Sequence, residues 1–279
     1  MCQSTIAIYC FIDDLLKASD HREDIRCQIN DAQVMTTALI AMLYFGGNYQ
    51  KSLSSIEEAE IFSKSLSRSR FSRRLNRLTD LVYLLFHRLG STLKQLNYES
   101  RYSLDSYPVQ MCDNIRIKRN RLTKEVFDKE EYRGYLTSKK RYFYGVRVQV
   151  ITTIDDLPVE FAILPGGCAD IQGLAQLPLD FVEGSEIAAD SAYTQYDWED
   201  YLREEEGIKL LVNRKKNSMR PDPPPTKDYK FWLRHRIETT FGEVGKYFPK
   251  SIHATNLNGF ILKVALFLWA FQIDKAFIQ

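Results

Sequence analysis

The apolar residues of this chain change period near Asn97. That change restricts the fold to a helical part followed by a part built on a sheet. Before Asn97, Val34, Ala38, Ala41 and Met42 recur at helical spacing until Gly46-Gly47-Asn48 breaks the pattern. Phe71, Leu75, Leu78, Val82, Leu85 and Leu89 then form one apolar stripe, which predicts a single long helix. After Asn97 the pattern is strand-like. Val146, Val148 and Val150 alternate with Arg147 and Gln149, predicting a strand with one buried and one wet face. Asp155-Asp156 predicts the turn of an antiparallel hairpin into residues 157–164. A helix over 170–181 broken at Pro178, a strand over 186–189, an acidic helix over 197–206 and a strand over 208–213 follow. Residues 221–225 read as a stiff proline linker.

Strands first, then strand and helix in alternation, predict an α/β fold with a mixed sheet flanked by helices, preceded by an all-α N-terminal domain. The RNase H-like sheet is the specific version, although periodicity alone does not separate it from other mixed α/β folds. The predicted boundaries are 1–97 for the helical domain and 98–279 for the sheet domain with a C-terminal helix. A chain of 279 residues is long enough for two such domains.

A net charge of +2 is too small to mark a nucleic-acid binder, so the distribution of charge has to decide. Cys2, Cys10, Cys27, Cys112 and Cys168 are scattered, without the spacing of a zinc site, and fit a reduced cytoplasmic setting. Asp13 and Asp14 interrupt the first apolar run too early for a signal peptide. Residues 260–273 contain Lys263 and fall short of the roughly 20 residues a spanning helix needs. They predict a buried C-terminal helix and no membrane association.

Two aspartates each follow a short apolar run, Asp105 in Tyr-Ser-Leu-Asp-Ser-Tyr-Pro-Val and Asp190 in Ile-Ala-Ala-Asp-Ser-Ala-Tyr. Glu238 lies in a helical pattern, Arg-His-Arg-Ile-Glu-Thr-Thr-Phe, where Ile237, Phe241, Val244 and Phe248 form the apolar stripe. Taken singly, Asp105 reads as a turn residue, Asp190 as a helix cap and Glu238 as the partner of Arg234 one turn earlier. Taken in order, strand-Asp, strand-Asp and helix-Glu match what holds Mg²⁺ against a phosphodiester. Asp113, Asp155 and Asp156 are weaker candidates, in turns or basic contexts without the preceding apolar strand.

Basic residues cluster locally. Arg70, Arg73, Arg74 and Arg77 share a helix face with no acid between Lys64 and Arg77, so phosphate contact and a solvated face are equally good readings. Arg116, Lys118, Arg119, Arg121 and Lys124 form a second cluster, Lys139, Lys140 and Arg141 another, and Arg214, Lys215 and Lys216 the last. DNA-backbone contact is favoured for the clusters at 116–124 and 214–216.

With these motifs in order, the chain resembles DDE-type bacterial insertion-sequence transposases, most closely the insertion sequence 982 family. Five blocks carry the resemblance: Ser69 to Leu75, Leu104 to Val109, Cys112 to Ile117, Ala189 to Tyr193 and Arg236 to Phe241. The resemblance implies Asp105, Asp190 and Glu238 as catalytic residues and Mg²⁺ ligands, with Mn²⁺ as a substitute. It also implies cleavage at transposon terminal inverted repeats and strand transfer into target DNA. A homodimer or higher oligomer on DNA and a place on the bacterial nucleoid follow from the same likeness. Relatives of the insertion sequence 4 group carry an aromatic–Arg–Glu–Lys signature around the final glutamate. Here Phe231 stands for the usual Tyr, Arg234 and Glu238 match, and Gly245 occupies the Lys position with Lys246 beside it. A hydrolytic nuclease on the same fold, or an inactive domesticated DNA-binding protein, stays open as an alternative.

Overall fold

The computed structural model describes residues 1–124, 126–136 and 140–278, with the side chains of 234–241 outside that description. It opens with five helices. In α1 (Cys2–Ala18), Thr5, Ile8, Ile12 and Leu16 are buried along one face, at the three- and four-residue steps that stack on a helix. Helix α2 (Asp31–Phe45) starts with a reciprocal cap: Asn30 accepts from the Gln33 amide at 2.7 Å, and Gln33 accepts from the Asn30 amide at 2.9 Å. Gly46 ends it in the left-handed conformation, φ 55°. Asn48 caps α3 (Tyr49–Glu58).

The stripe from Phe71 to Leu89 covers two helices, α4 (Arg68–Arg77) and α5 (Thr79–Leu96), rather than the single one its spacing predicts. At Leu78 the backbone leaves helical geometry, the Leu78 amide bonding three residues back to Leu75. The Thr79 hydroxyl donates to the Asn76 carbonyl at 2.8 Å across the break. A short interruption preserves the apolar periodicity, so the stripe itself does not reveal it.

A mixed six-stranded sheet follows, formed by β1 (Arg101–Cys112), β2 (Arg133–Leu136), β3 (Arg141–Thr153), β4 (Pro158–Pro165), β5 (Glu186–Ala189) and β6 (Lys209–Val212). Strand β3 is antiparallel to β1, and β2 and β4 pair with successive stretches of its other edge. Strands β5 and β6 continue from β1 in parallel. This is the arrangement of an RNase H-like sheet, antiparallel on one side of β1 and parallel on the other. The hairpin between β3 and β4 turns at Asp156, φ 66°, as the paired aspartates predict.

Strand β3 is not wet on its second face. Gln149 is fully buried and the Arg147 side chain is 15% exposed. Helix α6 (Asp170–Leu174) covers them: Gln149 Nε2 donates to the Asp170 carbonyl at 2.5 Å. A Cβ on Gly173 would come within 2.4 Å of the Gln149 amide, so a larger residue there would push that side chain from its place. Helix α6 is shorter than the 170–181 span predicted, ending before Pro178. Helix α7 (Tyr196–Glu204) is followed by Gly207 in the left-handed region, φ 66°.

The proline linker is shorter than its composition predicts, because α8 (Pro224–Tyr247) begins inside it. Proline is well tolerated in a first helical turn, whose amides have no intrahelical acceptor. The last α-helix, α9 (Leu257–Ile273), buries all but a few of its side chains, with Asn256 as its N-cap.

Contacts divide the chain into two compact units, residues 1–86 with 247–279, and residues 87–246. Helix α9 packs on α2 and α4, so the helical unit contains the C-terminal segment that a boundary at 97/98 leaves with the sheet. None of the described helices is long and apolar enough to cross a membrane.

Candidate active site

Strands β1 and β5 pair in parallel from Arg101↔Glu186 to Leu104↔Ala189. The next residue on each is an aspartate, Asp105 and Asp190. Paired strands lie about 4.8 Å apart, so this register brings two acids 85 positions apart in sequence to one place on the sheet. Asp105 does not end its strand, as the sequence suggests. Strand β1 runs on to Cys112 against β3, and it is the pairing with β5 that stops at Leu104.

Both carboxylates are half-buried and held in the same way. The Ser106 amide donates to Asp105 Oδ1 at 2.7 Å, and the Ser191 amide donates to Asp190 Oδ1 at 2.5 Å. An amide donor to a carboxylate oxygen fixes its rotamer. Two like charges this close repel, and an all-oxygen pair of this kind is suited to a hard divalent cation.

The third acid belongs to α8. Near its start, Tyr229 donates to Glu186 Oε2 at 2.6 Å, and Lys230 donates to the Val212 carbonyl at 3.0 Å and to Asp222 at 2.7 Å. Near its end, a Cβ on Gly245 would come within 3.2 Å of the Tyr107 ring, two residues past Asp105. The helix is therefore anchored on β5 and β6 at one end and on β1 at the other. Position 238 falls roughly midway, about 10–12 Å along the axis from either anchor at 1.5 Å per residue. The Glu238 and Arg234 side chains lie outside the described residues, as do those of Ile237 and Phe241. At Gly245, the position that aligns with a lysine, a larger side chain would need the Tyr107 ring to give by a few tenths of an ångström. Lys246, the next residue, is exposed.

A polar group beside Asp105 was not legible in the sequence. Arg147 Nη1 donates to Asp170 at 3.2 Å and lies 3.5 Å from the Ser106 hydroxyl. Its buried Nε has no acceptor among the described residues. Tyr193, 1% exposed, stands close to Ser106, Asp105 and Asp170. Burial, reinforced by the negative Asp170 and Asp105, raises its phenol well above the ordinary tyrosine range. Tyr193 therefore stays neutral beside the acids.

The basic candidates divide by what they touch. Arg74 is not on an unopposed face: its Nη2 lies 2.8 Å from Asp31 and 3.5 Å from Glu23, and Nη1 donates to the Ile29 carbonyl. Arg214 forms a two-pronged pair with Glu199 and is 11% exposed. Both are committed to internal carboxylates contributed by distant sequence. Arg70, Arg73 and Arg77 remain exposed, along a cleft shared with Arg22, Asp24 and Asp31. Arg116, Lys118 and Arg119 are exposed on a short 3₁₀ turn after β1, and Lys215 and Lys216 are exposed after β6. Lys139 lies outside the described residues.

Residues 99–271, more than half of the chain, match the transposase DDE domain family. The chain is a DDE transposase family member. No curated protein and no solved structure matches it. DDE transposase domains are associated with transposition and imply nuclease or transposase chemistry, typically with divalent metal ions. The donor set at this DDE site fits such an ion, since Asp105 and Asp190 present hard carboxylate oxygens already oriented by neighbouring amides. Another cluster, His21, Glu23 and Asp31, also brings three donor atoms within 4.8 Å of one another. There the Arg74 guanidinium already supplies the positive charge.

Proposed function

We propose that this chain is a metal-dependent DDE transposase of the insertion sequence 982 type, which cleaves DNA at transposon ends and transfers the resulting 3′ end into target DNA. The single observation that carries this reading is the β1–β5 register, Leu104↔Ala189, with an aspartate following each residue. Asp105, Asp190 and Glu238 would hold Mg²⁺ or Mn²⁺. When bound, such ions act as Lewis acids toward phosphate oxygens.

The chain's own residues do the rest. The Ser106 and Ser191 amides keep two carboxylates in fixed rotamers, so little reorganisation is needed when charge develops. Arg147, paired with Asp170 and 3.5 Å from the Ser106 hydroxyl, and the buried Tyr193 pack beside the residue that follows Asp105. Arg116, Lys118, Arg119, Lys215, Lys216 and Lys246, all exposed, supply positive charge for the DNA backbone in the sheet unit. Arg70, Arg73 and Arg77 do so in the helical unit, which we assign to recognition of the transposon terminal repeats. Functionally, residues 1–97 then serve end binding and 98–279 catalysis, in a homodimer or larger assembly on paired ends. Five free cysteines are compatible with the reducing cytoplasm, where the nucleoid lies.

The test is an assay of end-containing duplexes for cleavage and for joining of a pre-cut 3′ end. Asp105→Asn, Asp190→Asn and Glu238→Gln are each expected to abolish cleavage while end-DNA affinity stays within about twofold. Excess chelator should do the same, and Mg²⁺ or Mn²⁺ should restore activity. Near wild-type cleavage by one variant removes that residue from the set. Cleavage without joining of the pre-cut end makes the protein a hydrolytic nuclease instead.

A further inference from the structure

In the helical unit, Lys263 of α9 is 9% exposed, and no carboxylate lines the pocket around it. Its ammonium donates to the Gly47 carbonyl at 2.8 Å and the His253 carbonyl at 2.7 Å, and stands 4.5 Å from the centre of the Tyr49 ring. Two carbonyls and the face of the Tyr49 ring meet its three N–H donors, but none of them neutralises its charge. Arg68, in the first turn of α4, and His253 share the lining, as does Asn48, the N-cap of α3. Basic groups and the positive ends of two helices thus converge on one buried lysine with no counter-charge in the lining.

The cavity is small, about 150 Å³. Pockets for drug-sized ligands run to roughly 300–1,000 Å³, so a ligand of that size is excluded while a compact anion fits. Burial, and to a lesser degree the positive Arg68, lower the Lys263 ammonium to about 8. A bound anion would relieve both causes. A purely structural lysine, tying α9 to the two loops, would need neither Arg68 nor His253 beside it.

We propose that this pocket binds a phosphate group, held by Lys263 and Arg68. The group comes either from a DNA backbone or from free phosphate. The DNA source rests on the transposase reading, whereas the phosphate chemistry does not.

The experiment uses the full chain, titrated with inorganic phosphate against chloride at matched ionic strength, near pH 7. Calorimetry and thermal melting should show saturable binding to wild type, weakened at least tenfold in Arg68→Ala and in Lys263→Met. Should Lys263→Met fail to fold, Arg68→Ala, a surface change, decides alone. Terminal-repeat duplex binding is then measured across salt concentrations. Loss of one phosphate contact lowers the slope of log K against log salt by about 0.9. A slope lowered by that amount in Arg68→Ala identifies the ligand as a backbone phosphate, and an unchanged slope with phosphate binding lost identifies free phosphate. No saturable phosphate binding by wild type, or equal binding by Arg68→Ala, overturns the proposal. Asp105→Asn, run alongside, should bind phosphate like wild type even when cleavage is lost, which separates failure of this site from failure of the catalytic reading.

Discussion

Replacing Arg74 should unfold the helical unit rather than weaken its hold on DNA. The Arg74 guanidinium makes two contacts to Asp31 Oδ1, at 2.9 Å from Nε and 2.8 Å from Nη2, and it caps the Ile29 carbonyl. Asp31 is 7% exposed, and its other oxygen meets His21 at 2.9 Å. In Arg74→Ala that carboxylate keeps one partner, charged only when His21 is protonated, and the Ile29 carbonyl loses its donor. Removing one member of a buried ion pair costs about 3–5 kcal/mol. The Arg74 side chain is 19% exposed, so water can enter the space and the expected loss falls to about 2–4 kcal/mol. Arg74→Lys restores a point charge without the fork and should lie between. Arg73→Ala, three-dimensionally adjacent but exposed, should change stability by no more than about 0.5 kcal/mol and lower the salt slope of DNA binding instead. Urea unfolding followed by circular dichroism, beside filter binding at several salt concentrations, measures both. If Arg74→Ala melts like wild type and lowers the salt slope as Arg73→Ala does, then its pairing with Asp31 contributes nothing and the residue faces DNA.

Three further outcomes are expected. Lys94→Met strands Glu160, which is 1% exposed and paired with Lys94, and should cost about 3–5 kcal/mol near neutral pH. Burial already raises the Glu160 carboxyl despite Lys94, so the deficit should shrink as pH falls and that group takes a proton; a pH-independent deficit in melting would contradict this. Arg147→Lys should slow cleavage about 10–100-fold with little change in end-DNA affinity, as expected for a group behind a metal-binding carboxylate; a pure affinity loss would make Arg147 a DNA contact. Lys263 should leave its mark on stability against pH. Its folded value near 8 lies below its unfolded one, so between them the unfolded chain holds the extra proton and stability rises with pH. Below about 8 the curve should be flat, and Lys263→Met should remove the rise. Arg68, His253 and Tyr49 are the other groups facing the ammonium, and Arg68→Ala distinguishes its contribution from theirs.

What could be read from the sequence was local. An apolar run ending in an acid is visible at Asp105 and Asp190 because strand and carboxylate adjoin in the chain. The hairpin at Asp155-Asp156 and the cap at Gly46 are equally short-range. Arg147 and Gln149 alternate with valines and so read as a wet face, because nothing near them shows that α6 covers it from 20 or more residues away. Arg74 reads as unopposed because Asp31 is 43 residues off, and Arg214 as a loop cation because Glu199 sits one helix earlier. The stripe through Phe71 and Leu89 hides its break at Leu78 because a short interruption leaves the apolar face in phase. In each case a polar residue's partner was chosen by tertiary packing, which periodicity does not encode.

The helical unit is discontinuous, and this bears on how the protein is made. Its helices before residue 87 leave the ribosome first, but α9, whose apolar side chains lie against α2 and α4, follows only after residues 87–246. At about 5–20 residues per second, the opening helices wait on the order of tens of seconds for the segment that covers them. Residues 87–246, contiguous in the chain, face no such delay. A chain stalled before α9 would therefore carry residues 87–246 complete and its helical unit uncovered, a species that quality control can detect by its exposed apolar surface.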